Sequence, residues 1–551
     1  MIQKLLFLPL LLLMAGLPAV TQELDTIGIF PDTLRITNLD QLVRRNVYLD
    51  SSKVYFFHNN FETAGPGFIE EIDTLLTNVE NYDPPTRPGQ YYATLGNPGL
   101  ATVSMVYDPV IKSGFDFGIR SYDKYIFHND SIHHYWVGRP YTHLFFIQGA
   151  KKEQNLLVDH SQNVSSWFNV GLKFRYVNSP GYYQNQEADA KNFVFKTRFQ
   201  TKNYRYMVLA NYIHNKLRLE ENGGIVYDTV FEENVSPDRR GIIVNLYNAN
   251  NTYKENSYYV KQLFKLTKRH RFRTDDTTTH QASLFDKLNP GNISYSVLYS
   301  DKTYLYQQPT GDNNGFYPFT YDSINDTYDS THIVTLENQF AWTNGDNAKK
   351  QLFTFNFMLR HIQTRLSVDS NNNTYSQLIP TAQVRFQVSD VLTLGFFGDF
   401  VTGNANAGDF NLVAKLALTT KFGTLKYELH NASQEVGRIY SFYHSNHFRW
   451  QNNFSKQYFL INKARISYKS FTAGFNLYAV ENFVYFDGMG LPDQLNSNLQ
   501  LLQLHARKGF RLGNFGIDLR AIYQKASNVD GIRVPEIIAD GSFYYTKDLF
   551  K

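Results

Sequence analysis

A chain of 551 residues can hold several soluble domains or one large sheet, and its 44 Phe and 39 Tyr beside 19% charged residues point to strands rather than to an average soluble domain at roughly 25% charge. A formal charge of +4 excludes a strongly basic nucleic-acid binder. The absence of cysteine excludes disulfide frameworks, thiolate metal sites and a lipidated N-terminal cysteine.

The first residues read as a secretory signal over 1–21. Lys4 supplies the positive start, Leu5 to Met14 the apolar region, and Ala15-Gly16-Leu17-Pro18-Ala19 the small-residue stretch before cleavage. That apolar region is shorter than the ~20 residues of a spanning helix, and no later run approaches that length.

Residues 22–89 form a distinct N-terminal periplasmic segment. Val54-Tyr55-Phe56-Phe57 reads as a strand. Phe68, Ile69, Ile72, Leu75, Leu76 and Val79 recur at helical spacing, with Glu70, Glu71 and Asp73 in the first turns and Pro84-Pro85 as the stop. The spacing predicts one short helix, packed on the periplasmic rim in preference to serving as a lid or plug. The segment is too short for the globular plug of a TonB-dependent transporter.

From about Gln90 the period changes to two and stays there to residue 551. Phe193, Phe195 and Phe199 share one face, while Val194, Lys196 and Arg198 share the other. Tyr204, Tyr206, Val208, Ala210 and Tyr212 repeat the pattern after a turn at Gln200 to Asn203, with Arg205 and Asn211 opposite them among Met207 and Leu209. Further hairpins turn at Ser389-Asp390, Lys421 to Thr424, Lys469-Ser470 and a glycine-containing turn before Phe515. The other connections, Glu220 to Arg240, Gly311 to Ser330, Asp369 to Ser376 and Ala432 to His447, are longer and polar. Short turns at one end and long loops at the other predict an all-β, transmembrane antiparallel up-and-down barrel of about 16 or more strands.

A sheet can span a bilayer only by closing on itself, because every amide must find a partner within the protein. A midplane Lys or Arg against lipid costs about 2–4 kcal/mol, so the charged face points inward. The predicted pore-lining residues are Lys173, Arg175, Lys196, Arg198, Arg205, Arg385, Lys415, Lys426, Lys463, Arg465, Arg507 and Arg520. Many lie within a few residues of the short turns, which predicts a cationic vestibule at the periplasmic mouth that favours anions. The competing reading pairs these cations with carboxylates from loops or from the N-terminal segment.

Other motifs carry less. Lys268 to Arg273 is the densest basic run but adjoins Asp275 and Asp276, as in a turn or a lipopolysaccharide-facing loop. His128, His133 and His134 lack a recognised metal-ligand spacing. Asp369, Asn371 and Asn373 imitate half a calcium loop, but the sixth-position glycine is missing and Pro380 stands where the bidentate acid belongs. No spaced nucleophile motif singles out a catalytic group. The expectation is a non-enzymatic protein without a cofactor, acting on no nucleic acid.

Three stretches resemble the Putative porin family of outer-membrane barrels from Bacteroidota. They are Asp50 through Phe56-Phe57-His58, Tyr92-Ala93-Thr94-Leu95-Gly96-Asn97-Pro98-Gly99, and Ser179-Pro180-Gly181-Tyr182-Tyr183 before Asn185-Gln186. The resemblance covers essentially the whole mature chain and implies a Gram-negative outer-membrane location and solute permeation. It carries over no site residues. The final Phe543 to Lys551 reads as too brief for a closing strand, so the barrel is expected to be truncated at its C-terminus. The leading expectation is a porin passing small hydrophilic solutes. The alternative is a structural or accessory barrel of an export or insertion complex, with a closed lumen. Partners expected of either are outer-membrane lipid, lipopolysaccharide, the barrel-assembly machinery and further copies in an oligomer.

Overall fold

The computed structural model describes residues 54–59, 70–72, 80–87, 89–203, 205–236, 238–266, 290–312, 315–344, 352–369, 371–528 and 531–547. The signal over 1–21, the run at 268–273 and the last residues, 548–551, lie outside them.

The first strands are small. β1 (Val54–His58) pairs antiparallel with β2 (Glu70–Glu71) on one side and β3 (His133–Val137) on the other. The helix expected around residues 68–79 is not what the structure shows at Glu70 and Glu71. They are extended, with Tyr55 opposite Glu71, and the other positions of the apolar stripe, Ile72 apart, lie outside the described residues. Pairing with a distant strand outweighs the local 3.6-residue pattern here.

The molecule is dominated by one antiparallel sheet of nineteen strands, counting the two-residue Thr402–Gly403. In chain order they are β4 (Tyr141–Gln148), β5 (Gln154–Ser165), β6 (Phe168–Ser179), β7 (Ala188–Gln200), β8 (Tyr206–Glu221), β9 (Ala249–Lys265), β10 (Asn292–Gln308), β11 (Thr327–Thr343), β12 (Phe353–Val368), β13 (Asn371–Gln387), β14 (Leu392–Phe400), β15 (Phe410–Thr420), β16 (Gly423–Gln434), β17 (Gln457–Tyr468), β18 (Phe471–Glu481), β19 (Leu499–Leu512), β20 (Phe515–Ala526) and β21 (Ile537–Tyr545). Each pairs with the next in sequence. The sheet begins at Tyr141, well beyond the point where alternation starts; residues 92–94 and 102–104 form a separate small hairpin.

Alternation sorts side chains as the sequence predicts. On β7, Val194, Lys196 and Arg198 are buried while Phe195 is 41% exposed; on β8, Leu209, Asn211 and Ile213 are buried and Tyr212 faces out. Leu172, Phe357, Leu460, Leu504 and Leu519 extend the exposed apolar face around the sheet. Outward residues of β8 change from Tyr206, Val208, Ala210 and Tyr212 to His214, Lys216 and Arg218 toward its far end. The apolar belt thus covers the short-turn part of the strands, and the remainder rises toward the long loops.

The turns at one end are as short as expected. Lys469 (φ 51°) and Gly513 (φ 57°) take left-handed conformations in two-residue turns, the backbone that matches the twist of paired strands. Two expectations differ. Residues 371–376 are not a loop: they belong to β13, with Asn371 opposite Val368 of β12 and Asp369 at φ 50°. The C-terminal stretch from Phe543, expected to be too brief for a closing strand, contributes Phe543 to Tyr545 to β21, which begins at Ile537 and pairs with β20 over nine residues, Phe515 opposite Tyr545 and Tyr523 opposite Ile537. Ile537, Phe543 and Tyr545 lie on its exposed face, an alternation that Gly541 and Ser542 obscure in the sequence.

Candidate functional site

The inward face of the sheet is not bare throughout. Described residues ahead of β4 lie against it. Asn59 Nδ2 donates to Asn211 Oδ1 on β8 at 2.8 Å, Asn129 Nδ2 to Ser257 Oγ on β9 at 2.7 Å, and the Phe115 amide to Gln377 Oε1 on β13 at 2.9 Å. Gln503 of β19 and Gln524 of β20 donate to the carbonyls of Tyr107 and Met105, both at 2.6 Å. Tyr91 donates to Asp540 on β21, and Tyr82 packs against Phe145 on β4 with ring centroids 6.5 Å apart. One segment therefore touches both terminal strands of the sheet and many between them.

Apolar inward residues follow this contact. Along β8, Met207 and Leu209 pack on Tyr55 and Phe57, Ile213 on Phe127 and Ile132, Leu217 on Tyr125 and Ile126, and Leu219 on Leu100. Opposite them, Ala432, Phe459, Ile461, Tyr478 and Leu501 pack against Tyr107 and Ile111. Removing such surface from water is worth about 25 cal/mol per Å², which accounts for apolar side chains on a face that would otherwise be wet.

The predicted pore-lining residues divide into two sets. Four grip the segment. Lys196 Nζ lies 2.7 Å from Asp159 Oδ1 and 4.4 Å from the centre of the Tyr135 ring. Lys173 is 3.8 Å from Asp159 Oδ2, and Lys173 and Arg175 both lie over the Phe127 ring. Arg198 lies 4.3 Å from the Trp136 ring centre. A cation over an aromatic face gains most where water is excluded, and these four lie against the rings of the inner segment. Arg205 sits at the turn before β8, with its guanidinium over Phe264 of the outer face.

The second set lies on β13 to β20. Arg385, Lys415 and Arg507 occupy the inward register and stay exposed, in contrast to the buried inward residues of β7 and β8. Lys415 pairs with Glu428 at 3.5 Å, Lys463 with Asp108 at 3.1 Å, and Arg520 approaches Asp540 at 3.9 Å. Lys426 and Arg465 stand opposite each other on β16 and β17. Pairing with carboxylates of the wall and of the N-terminal segment thus holds for several of these cations.

The histidines singled out from sequence are engaged within the inner segment. His133 stacks on Phe56 with centroids 4.4 Å apart, His134 is hydrogen-bonded to Asn59 at 3.0 Å, and His128 to the Asp123 carbonyl at 3.3 Å. Burial, then the charges of Lys196 and Arg198, push His134 down to about 3, so it is neutral at ordinary pH. Asp83 moves the other way. Burial raises its carboxyl to about 6, against the lowering effect of the Tyr125 hydroxyl, which donates to it at 3.0 Å. Sequence reasoning missed Phe127, Tyr135 and Trp136 as partners of the wall. The available signal was Met207 and Leu209 among inward charges.

No curated protein matches the sequence. Solved structures of similar fold include the siderophore receptor PirA from Acinetobacter baumannii (TM-score 0.52, 8% identity, 75% of this chain and 66% of that one covered) and the copper transporter OprC (TM-score 0.51, 9% identity, 74% and 67% covered). PirA from Pseudomonas aeruginosa gives a TM-score of 0.50 at 8% identity, with 74% and 68% covered. The chain spans about two thirds of the length of these structures, and at such identities they share its fold alone. The family described as Putative porin matches residues 54–551, and the chain belongs to that family, whose name together with the shared fold points to an outer-membrane, transporter-like β-barrel.

Proposed function

We propose that the sheet closes between β4 and β21 into an outer-membrane barrel that passes small hydrophilic solutes and favours anions, with the described residues between Val54 and Val137 acting as an internal plug that fills only part of the lumen. Closure is supported by Tyr82 and Tyr91, nine residues apart, which reach Phe145 on β4 and Asp540 on β21. The observation that carries the reading is the asymmetry of the inner wall. Inward side chains of β7 and β8 are largely buried under the plug, whereas Arg385, Lys415 and Arg507 keep their exposure near the short turns. A lumen dominated by one sign of charge selects ions of the other.

Planar bilayers under a KCl gradient test this. A reversal potential of the anion-selective sign is expected; cation selectivity overturns the preference. Absence of conductance favours the second reading, an accessory barrel with a sealed lumen, for which the plug's contacts from β4 to β21 are the supporting observation.

A further inference from the structure

On the basic side of the lumen, Arg465, Gly474 and His505 stand opposite one another on β17, β18 and β19. They share the inward register of the buried Ile461, Tyr478 and Leu501. A Cβ at Gly474 would lie 2.6 Å from His505 Nε2 and 2.3 Å from the Ala464 carbonyl oxygen. Only glycine lets the imidazole fold across β18 toward Arg465. Two residues nearer the turn, Ser467, Thr472 and Arg507 are likewise in register, with the Ser467 and Thr472 hydroxyls 3.3 Å apart. Two arginines, a histidine and two hydroxyl residues therefore occupy adjacent inward positions on three neighbouring strands.

The neighbouring acids are already engaged. Glu428 meets Lys415 and His430, Asp108 meets Lys463, Asp540 meets Tyr91, and Asp518 meets Arg511 and Tyr544. Arg465 Nε and His505 Nε2 are buried with no hydrogen-bond partner among the described residues. A buried guanidinium donor without an acceptor is costly, and an anion would supply one.

We propose that Arg465, His505, Arg507, Ser467 and Thr472 bind a tetrahedral oxyanion, the phosphate group of a small solute, at the short-turn mouth. The proposal rests on the anion-favouring reading above. Donors drawn from three strands and two levels of the wall suit a tetrahedral group better than a planar carboxylate, which a single arginine fork satisfies.

Calorimetric titration of the purified full chain in detergent, at constant ionic strength, with inorganic phosphate, methyl phosphate and acetate tests it. Phosphate or methyl phosphate should bind and acetate should not; binding of inorganic phosphate without methyl phosphate identifies the free ion as ligand. Arg465→Gln and Arg507→Gln should each weaken binding at least tenfold, while Arg385→Gln, a lumen cation outside the patch, should change it less than twofold. Gly474→Ala keeps every charge but displaces His505 and should also weaken binding; heat-modifiable migration in gels checks that each variant folds. Equal binding of acetate, no binding of either phosphate, or an equal loss in Arg385→Gln overturns the site. Anion-selective conductance without phosphate binding removes the site and leaves the channel reading, whereas phosphate binding without anion selectivity does the reverse.

Discussion

Asp159 shows how much one buried residue on the inner wall holds. Its carboxylate meets Lys196 at 2.7 Å and Lys173 at 3.8 Å and accepts from the Tyr135 hydroxyl at 2.8 Å. Removing one partner of a buried pair leaves the other charge uncompensated, at about 3–5 kcal/mol. Asp159→Ala is expected to lower the unfolding free energy of the detergent-solubilised protein by that order, read as a lower urea midpoint, and an unchanged midpoint would contradict the buried pair. Asp83 predicts a pH dependence. Its carboxyl, raised to about 6, prefers to be neutral in the fold. Its contribution is complete below the free-carboxyl value near 3.8 and is lost as pH rises through about 6. Residues around Tyr125 should therefore resist hydrogen exchange better at pH 5 than at pH 7.5, and Asp83→Asn should flatten that difference. Lys196 and Arg198 were readable as inward charges from alternation alone. That Tyr135 and Trp136 cover them was not, because those rings lie some sixty residues earlier in the chain and nothing local records the contact.

Strands were the most legible elements, since a period of two is visible wherever one face meets an apolar medium and the other does not. The hairpins at Ser389, Lys421 and Lys469 fall where their turn residues stand. Residues 70–71 fail the same reasoning, for their partner is β1 rather than a neighbouring turn. β8 carries a second pattern within the first: inward Leu209, Ile213, Leu217 and Leu219 mark a wall covered by another part of the chain. Leu217→Ala is expected to cost about 2–5 kcal/mol. Leu217→Asp, which puts a charge beneath Tyr125, should raise single-channel conductance several-fold by loosening the plug. Unaltered conductance in that variant would show that these contacts do not limit passage.

At the scale of the molecule, the outcome turns on the two terminal strands. An unpaired edge in lipid leaves backbone groups without partners, at several kcal/mol each. Removing residues 537–551 should therefore abolish heat-modifiable migration and protease resistance in outer membranes, whereas retention of both would show that β21 is dispensable for closure. The sequence by itself determined the all-β class, the lipid-facing and inward faces of each strand, and which end carries short turns, because side-chain polarity at spacing two is a local response to two different media. Tertiary structure alone decided that the described residues between Val54 and Val137 pack against the inward side chains of the sheet, that Lys173, Arg175, Lys196 and Arg198 lie over their rings or beside them, and that Arg385, Lys415 and Arg507 keep their exposure. Alternation reports only which way a side chain points. What waits for it inside comes from elsewhere in the chain.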